Sequence, residues 1–162
     1  PPLMDVKEGG YPSLLKMFLG TTTGTIGETS TAALLLGAIY LLLRRVIDWK
    51  IPVIYIATFA VFDILYMVIA GAAAYPLLYE LCGGGLMLGA FFMATDYVTS
   101  PITSKGKVIY AILLGLLTGL FRFFGESAEG VSFAIIIGNL FVPLIERYTV
   151  PKAFGKEGKA NG

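Results

Sequence analysis

The chain has 162 residues, of which 56 % are hydrophobic and 14 % charged, and its formal net charge is +1. A soluble domain of this length needs more polar surface, so the composition indicates an integral membrane protein, and the small net charge argues against nucleic acid as a partner. The sequence has no histidine and a single cysteine, Cys82, which excludes imidazole-ligated metal or haem, His-dependent nucleophiles and an internal disulfide. We expect no catalytic residues and no metal site.

The first 27 residues contain a short apolar piece and most of a hydroxyl-rich tract. Residues 12–20, PSLLKMFLG, are too short to cross a bilayer and predict an interfacial or re-entrant segment. The tract at 20–31, GTTTGTIGETST, has seven Thr or Ser residues and one charge, Glu28. Its last residues are typical of a helix start, where hydroxyls accept hydrogen bonds from free N–H groups and a carboxylate complements the positive helix end. Because the chain lacks an initiator Met, we expect it to be a piece of a longer protein.

Five apolar segments follow, each close to the roughly 20 residues that cross a bilayer core. They are residues 28–47, 52–71, 76–95, 108–124 and 131–148. The pattern predicts an all-α membrane protein with about five transmembrane helices. We expect an outer-side loop with a short interfacial segment at 1–27, a transmembrane domain at 28–148 and a cytoplasmic tail at 149–162.

The third apolar segment contains three consecutive glycines, Gly83 to Gly85, one turn after Glu80. Each glycine costs about 1 kcal/mol relative to alanine inside a helix. The run therefore predicts an interrupted helix of the kind that surrounds a binding site, and close packing of helices at the glycines is the alternative.

The basic residues are distributed unequally between the two predicted sides of the membrane. Nine lie on one side, at 44, 45, 50, 105, 107, 147, 152, 156 and 159, and three on the other, at 7, 16 and 122. The positive-inside rule then predicts a cytoplasmic C-terminus and an N-terminus outside, in the plasma membrane.

Two carboxylates are candidates for an ion path. Asp63 lies near the centre of the second segment, where an isolated charge costs about 2.5–3.5 kcal/mol. A structural role, such as a hydrogen bond to Thr58 or to another helix, is the alternative to ion transfer. Asp96 follows the third segment on the inner side, where ion ligation, capping and contact with a neighbouring protein of a complex are all open.

Two further polar side chains lie within or beside apolar segments. Arg122, near the outer end of the fourth segment, is expected to pair with Glu126 or Glu129. Asn139, in the middle of the fifth segment, is expected to bridge helices.

Three stretches carry a family resemblance: LGTTTGTIGETS, GGGLMLGAFFMATDYVTSPIT and EGVSFAIIIGNLFVPLIE. In this order and spacing they resemble the RnfD proteins of the Rnf electron-transport complex and, more distantly, the NqrB proteins of the sodium-pumping NADH:quinone reductase. The likeness covers nearly the whole chain, and FFMATDYVTSPIT is its most specific part. Family members have roughly twice as many helices, in two related halves of urea-transporter-like architecture, so this chain resembles the C-terminal half.

The resemblance implies a membrane subunit that works with other subunits to pass electrons through flavin between ferredoxin and NAD, coupled to sodium or proton movement. It implies a translocase component that is not catalytic alone. Family members carry FMN joined by a phosphoester to a threonine in a Ser/Thr-Gly-Ala-Thr motif. The nearest string here, Thr23-Gly24-Thr25-Ile26, lacks both the alanine and the acceptor threonine, so we expect no covalent FMN on this chain.

The hydroxyl-rich tract still offers donors to a flavin held without a covalent bond. Its candidate flavin-facing residues are Thr21, Thr22, Thr23, Thr25 and Glu28, and a hydrated loop is the alternative. Two other functions fit the sequence: a urea-transporter-like channel or carrier for small solutes, and a membrane scaffold for partner subunits.

Overall fold

The structure is a computed structural model that describes residues 13–21, 29–70, 77–83, 85–124 and 130–151. Within these ranges every regular element is a helix, and the prediction of an all-α membrane protein is confirmed. In chain order the helices are α1 Leu14–Leu19, α2 Thr31–Leu43, α3 Lys50–Ala70, α4 Leu77–Cys82, α5 Leu86–Leu88 with a π-helical turn at Gly89–Met93, α6 Ser104–Phe124 and α7 Gly130–Thr149.

Three of the described helices, α3, α6 and α7, are long and apolar enough to cross a membrane. They correspond to the second, fourth and fifth predicted segments. Helix α6 begins four residues earlier than predicted, because the Thr103 hydroxyl accepts from the Gly106 N–H at 3.0 Å and so supports an additional first turn.

Helix α2 is shorter than the span predicted at 28–47. It has 13 residues, or about 20 Å at the α-helical rise, whereas a bilayer core is about 30 Å thick. The Ser30 side chain accepts from the Ala33 N–H at 3.2 Å and fixes its start, as the polar tract predicted. It ends before Arg45, whose φ of 54° is left-handed and cannot continue an α-helix.

The predicted interruption of the third segment is confirmed. Helix α4 ends at Cys82, and Gly85 has a left-handed φ of 68° that a side chain would disfavour. The chain resumes as α5 and passes directly into the π-helical turn, a geometry that occurs mostly as single turns and often at functional sites. This broken segment occupies the place of a continuous span.

Helices α3 and α6 run parallel, and their starts lie side by side. The Lys50 ammonium donates to the Ser104 hydroxyl at 2.6 Å, while further along Gly115 faces Thr58. Helix α7 returns antiparallel to α6. We call the region of residues 44–50 and 96–107 the basic end of the bundle, and the region of residues 77–83 and 118–124 the Arg122 end.

An ion pair ties the start of α6 to the loop before α3 at the basic end. The Lys107 ammonium lies 2.9 Å from the Asp48 carboxylate, which also accepts from the Lys50 N–H at 3.2 Å. Partial burial alone would raise the pKa of the Asp48 carboxyl, but the hydrogen bonds and positive charges of the two lysines together hold that pKa below its ordinary value.

We expect Asp48→Asn to destabilise the protein by about 0.2–1 kcal/mol at pH 7, the range measured for solvent-exposed ion pairs. Because the folded-state pKa is depressed, this contribution is fully present above the unfolded value of about 3.9 and is lost as the pH falls through the folded value. Thermal unfolding of both proteins at pH 7, 5, 4 and 3 should therefore show melting temperatures that converge toward pH 3. A difference in melting temperature that stays constant with pH would show that the Asp48 charge is not the cause.

Candidate functional site

A fully buried arginine occupies the Arg122 end of the bundle. Arg122 is 0 % exposed, and its Nη1 lies 3.0 Å from the Glu80 carboxylate of α4. The same Nη1 donates to the Glu80 carbonyl at 2.5 Å, and Nη2 donates to the Gly83 carbonyl at 3.0 Å. The guanidinium carbon also lies 5.0 Å from the ring centre of Phe59, within cation–π range.

These contacts explain why an arginine stands where the third segment breaks. The last carbonyls of a helix have no intrahelical N–H partners, and they form the negative end of the helix dipole. Helix α4 ends inside the protein, so its Glu80 and Gly83 carbonyls need donors from elsewhere. A planar guanidinium can serve both carbonyls and a carboxylate at once, which a lysine ammonium does less well.

Asp63 is the second buried acid at this end. It is 0 % exposed, and no described residue donates a hydrogen bond to either of its carboxylate oxygens. It lies one turn beyond Phe59 on α3, so the two side chains share a face. The Phe59 ring in turn lies against the Arg122 guanidinium. The predicted alternative of a hydrogen bond to Thr58 is therefore wrong.

The described charges at the Arg122 end do not balance when both acids are ionised. Glu80 and Asp63 would carry two negative charges against the single positive charge of Arg122. All three residues are at most 1 % exposed. A surplus buried charge is expensive unless a cation or a proton neutralises it. We call these three residues the buried charge cluster.

Further polar contacts lie between this cluster and the basic end. The Tyr55 and Thr118 hydroxyls are 2.5 Å apart and buried at the contact of α3 with α6. Closer to the basic end, the Tyr110 hydroxyl donates to Asn139 Oδ1 at 2.5 Å. The latter contact joins α6 to α7 and confirms that Asn139 bridges helices.

The two predicted ion-path residues are not brought together. Asp96 is exposed at the basic end and accepts from the Thr99 hydroxyl at 3.3 Å. Asp63 lies 13 residues into α3, which at about 1.5 Å per residue is roughly 20 Å from its start. Among the residues that the structure describes, no group of three or more acids or cysteines could hold a metal ion.

Most of the predicted flavin-facing residues lie outside the described ranges. These are Thr22, Thr23, Thr25 and Glu28. Thr21 is described and exposed, and its hydroxyl donates to the Lys16 carbonyl at 3.5 Å. Of the predicted flavin-facing residues, the structure therefore places Thr21 alone.

Sequence reasoning missed Glu80 as the partner of Arg122. It assigned Arg122 to Glu126 or Glu129, which lie outside the described residues, and that pairing stays a prediction. The sequence did contain a signal for this pair, because Glu80 and Arg122 carry opposite charges in two different apolar segments. Opposite charges in a membrane interior normally pair. The fold also brings a second buried acid, Glu80, to the Arg122 end, where Asp63 lies.

Comparison with known proteins gives a consistent set of relatives. The profile of the NQR2, RnfD, RnfE family matches residues 1–155. The RnfD protein of the Na(+)-translocating ferredoxin:NAD(+) oxidoreductase complex of Acetobacterium woodii is 45 % identical over 159 residues, covering 94 % of this chain and 48 % of the relative. The RnfD protein of the proton-translocating ferredoxin:NAD(+) oxidoreductase complex of Clostridium ljungdahlii is 45 % identical over 148 residues, covering 91 % and 45 %.

A third relative extends the set to another genus. The RnfD protein of the ion-translocating oxidoreductase complex of Stutzerimonas stutzeri is 41 % identical over 150 residues, covering 93 % of this chain and 42 % of the relative. The chain therefore spans about half the length of the curated relatives that it matches.

Proposed function

The chain belongs to the NQR2, RnfD, RnfE family, and from that membership we propose that it works as part of the RnfD protein of an ion-translocating ferredoxin:NAD oxidoreductase complex. The observation that carries the proposal is 45 % identity over 94 % of the chain to a protein with this activity in its name. Three helices long enough to span a membrane and buried charges at one end of the bundle support a role inside the bilayer.

The buried ionisable residues of the described chain indicate which part of the complex it forms. Ionisable side chains inside a membrane are costly and typically mark ion or proton pathways, and Asp63, Glu80 and Arg122 are all buried here. The chain accordingly contributes to the ion-conducting part of the complex, and other membrane subunits assemble around it. Following the nine-to-three distribution of basic residues, the basic end faces the cytoplasm and the Arg122 end faces outward.

Purification of the tagged full-length protein from its native membrane tests membership of the complex. We expect partner membrane subunits to co-purify and the preparation to reduce NAD with reduced ferredoxin. A mock purification from the untagged strain is the control. A protein isolated alone that conducts urea or another small neutral solute in liposomes, without any ferredoxin-dependent activity, would support the transporter alternative instead.

We further propose that FMN serves the full-length family protein, with its covalent acceptor outside residues 1–162. The proposal rests on the sequence Thr23-Gly24-Thr25-Ile26, which departs from the acceptor motif at two positions. When bound, a flavin supplies one- and two-electron transfer. No step of that transfer is assigned to the described residues.

Denaturing gel electrophoresis of the fragment 1–162, expressed beside the full-length protein, checks the flavin proposal. Covalent flavin survives denaturation and fluoresces in the gel. We expect a fluorescent band for the full-length protein and none for the fragment. Fluorescence traced by peptide mapping to any threonine of the fragment would contradict the proposal.

A further inference from the structure

Asp63 at the Arg122 end needs a group that neutralises its charge when it is buried. Its carboxylate is completely buried, and neither oxygen receives a hydrogen bond from a described residue. The other buried charged groups at this end of the described chain are Glu80 on α4 and Arg122 on α6, and Arg122 lies against the ring of Phe59, one turn from Asp63. Arg122 is engaged with the Glu80 carboxylate and with two carbonyls.

A proton suits this position better than a metal cation. A sodium ion, like other hard cations, needs several oxygen ligands around it, and the other buried acid of the described residues, Glu80, is already paired with Arg122. A proton needs one oxygen only. A proton on Asp63 also leaves Arg122 and Glu80 as a neutral pair, which removes the surplus charge from the interior.

We propose that Asp63 is a proton-exchange site within the membrane-spanning part of the chain, with Arg122 as the counter-charge when the proton leaves. The step transfers one proton and no electrons, with water as the acceptor: Asp63–COOH + H₂O becomes Asp63–COO⁻ + H₃O⁺. In the deprotonated state the single positive charge of Arg122 serves two carboxylates, Asp63 and Glu80, and the buried charge cluster carries a net charge of −1 until Asp63 regains a proton. The inference deepens the proposed function, on which it rests, by naming the ion and the residue that carries it.

Arg122 does not exchange a proton itself but holds a fixed positive charge in the buried charge cluster. Its two carbonyl contacts fix the guanidinium at the break between α4 and α5, so its charge stays in place whichever state Asp63 adopts. The Phe59 ring, one turn from Asp63 on the same helix, packs against the guanidinium. Proton loss from Asp63 therefore changes the charge of the buried charge cluster without requiring the ion pair to break.

Infrared difference spectroscopy of the purified complex in H₂O and D₂O tests the proposal. A buried protonated carboxyl gives a C=O stretching band, separate from that of ionised carboxylates, that shifts when deuterium replaces the proton. We expect this band in the wild type at neutral pH, its complete loss in Asp63→Asn, and a displaced band in Asp63→Glu. Asp48→Asn, which alters an acid at the basic end, is the matched control and should leave the band unchanged.

Addition of Na⁺ at constant pH separates the two candidate ions. We expect the band to persist in the wild type at all Na⁺ concentrations. Loss of the band with added Na⁺ would reassign Asp63 to sodium, and an unchanged band in Asp63→Asn would show that another acid carries the proton. If Asp63→Asn does not assemble, the Na⁺ titration of the wild type and the spectrum of Asp63→Glu test the proposal instead. A C=O band at the wild-type position in Asp63→Glu would overturn it. A band that behaves as expected in a preparation without ferredoxin-dependent activity would contradict the proposed function and not the proton site.

Discussion

Replacing Arg122 with methionine should strongly destabilise the protein. The change leaves the Glu80 carboxylate without its described ion pair and the Glu80 and Gly83 carbonyls without the donors seen in the structure. Removing one partner of a buried ion pair costs about 3–5 kcal/mol, and net stabilities are only about 5–15 kcal/mol. Fluorescence-detected size-exclusion chromatography of the solubilised protein should show the monodisperse peak reduced to a small fraction of its wild-type height.

Three variants show whether lost charge pairing is the cause. Arg147→Met makes the same change at an exposed position of α7 and should fold normally. Arg122→Lys keeps the charge without the planar fork and should fall between wild type and Arg122→Met. Adding Glu80→Gln to Arg122→Met removes the stranded charge and should recover part of the peak. A wild-type peak for Arg122→Met alone would show that the pair does not hold the broken segment.

Replacing Gly115 with alanine should have the second-largest effect, because α6 and α3 touch there without room for a side chain. A Cβ at residue 115 would lie 2.6 Å from the Thr58 Cβ and 3.0 Å from the Tyr55 backbone oxygen. Backbone cannot rotate out of the way, so the helices must separate, at a cost of about 1–3 kcal/mol for overpacking. Separation would also strain the hydrogen bond between Tyr55 and Thr118 on the same interface.

Gly37→Ala is the matched control for this prediction. Its new Cβ would lie 3.2 Å from the tip of the Phe92 ring, which can move by a few tenths of an ångström. Both substitutions bring the same gain in helix propensity, about 1 kcal/mol, so the difference between them reports packing. Thermal unfolding should place Gly115→Ala clearly below wild type and Gly37→Ala at or above it. Equal melting temperatures for the two variants would contradict the close contact of α3 with α6.

Hydrophobicity and local chemistry predicted those parts of the fold that depend on them. The segments that became α3, α6 and α7 were found from their apolar length, and the break at Gly83 to Gly85 from the cost of glycine in a helix. The length of α2 was wrong, because its end depends on the left-handed backbone of Arg45, and nothing in an arginine side chain predicts that conformation. The Thr/Ser start of α2 was predicted because capping needs only neighbours in sequence.

The candidate site was less predictable because it depends on contacts between distant residues. Glu80 and Arg122 are 42 positions apart, and their meeting requires α4 to end inside the protein beside α6. The sequence identified Asp63 as a costly residue through its position in an apolar segment, yet the second acid nearby appears only when α3 and α4 are brought together. Helix register and the break in the third segment set this arrangement, and neither can be read from hydropathy alone.

Coupled ion uptake by the assembled complex tests the central claim most directly. Proteoliposomes containing the wild type, Asp63→Asn or Asp63→Leu complex are supplied with reduced ferredoxin and NAD, and proton and Na⁺ uptake are each divided by the NADH formed. Asparagine keeps the size and hydrogen bonding of Asp63 but cannot exchange a proton. The account predicts that Asp63→Asn assembles and reduces NAD while its ion uptake per NADH falls at least tenfold, and that Asp63→Leu shows the same loss. Wild-type uptake per NADH in both variants would contradict the account.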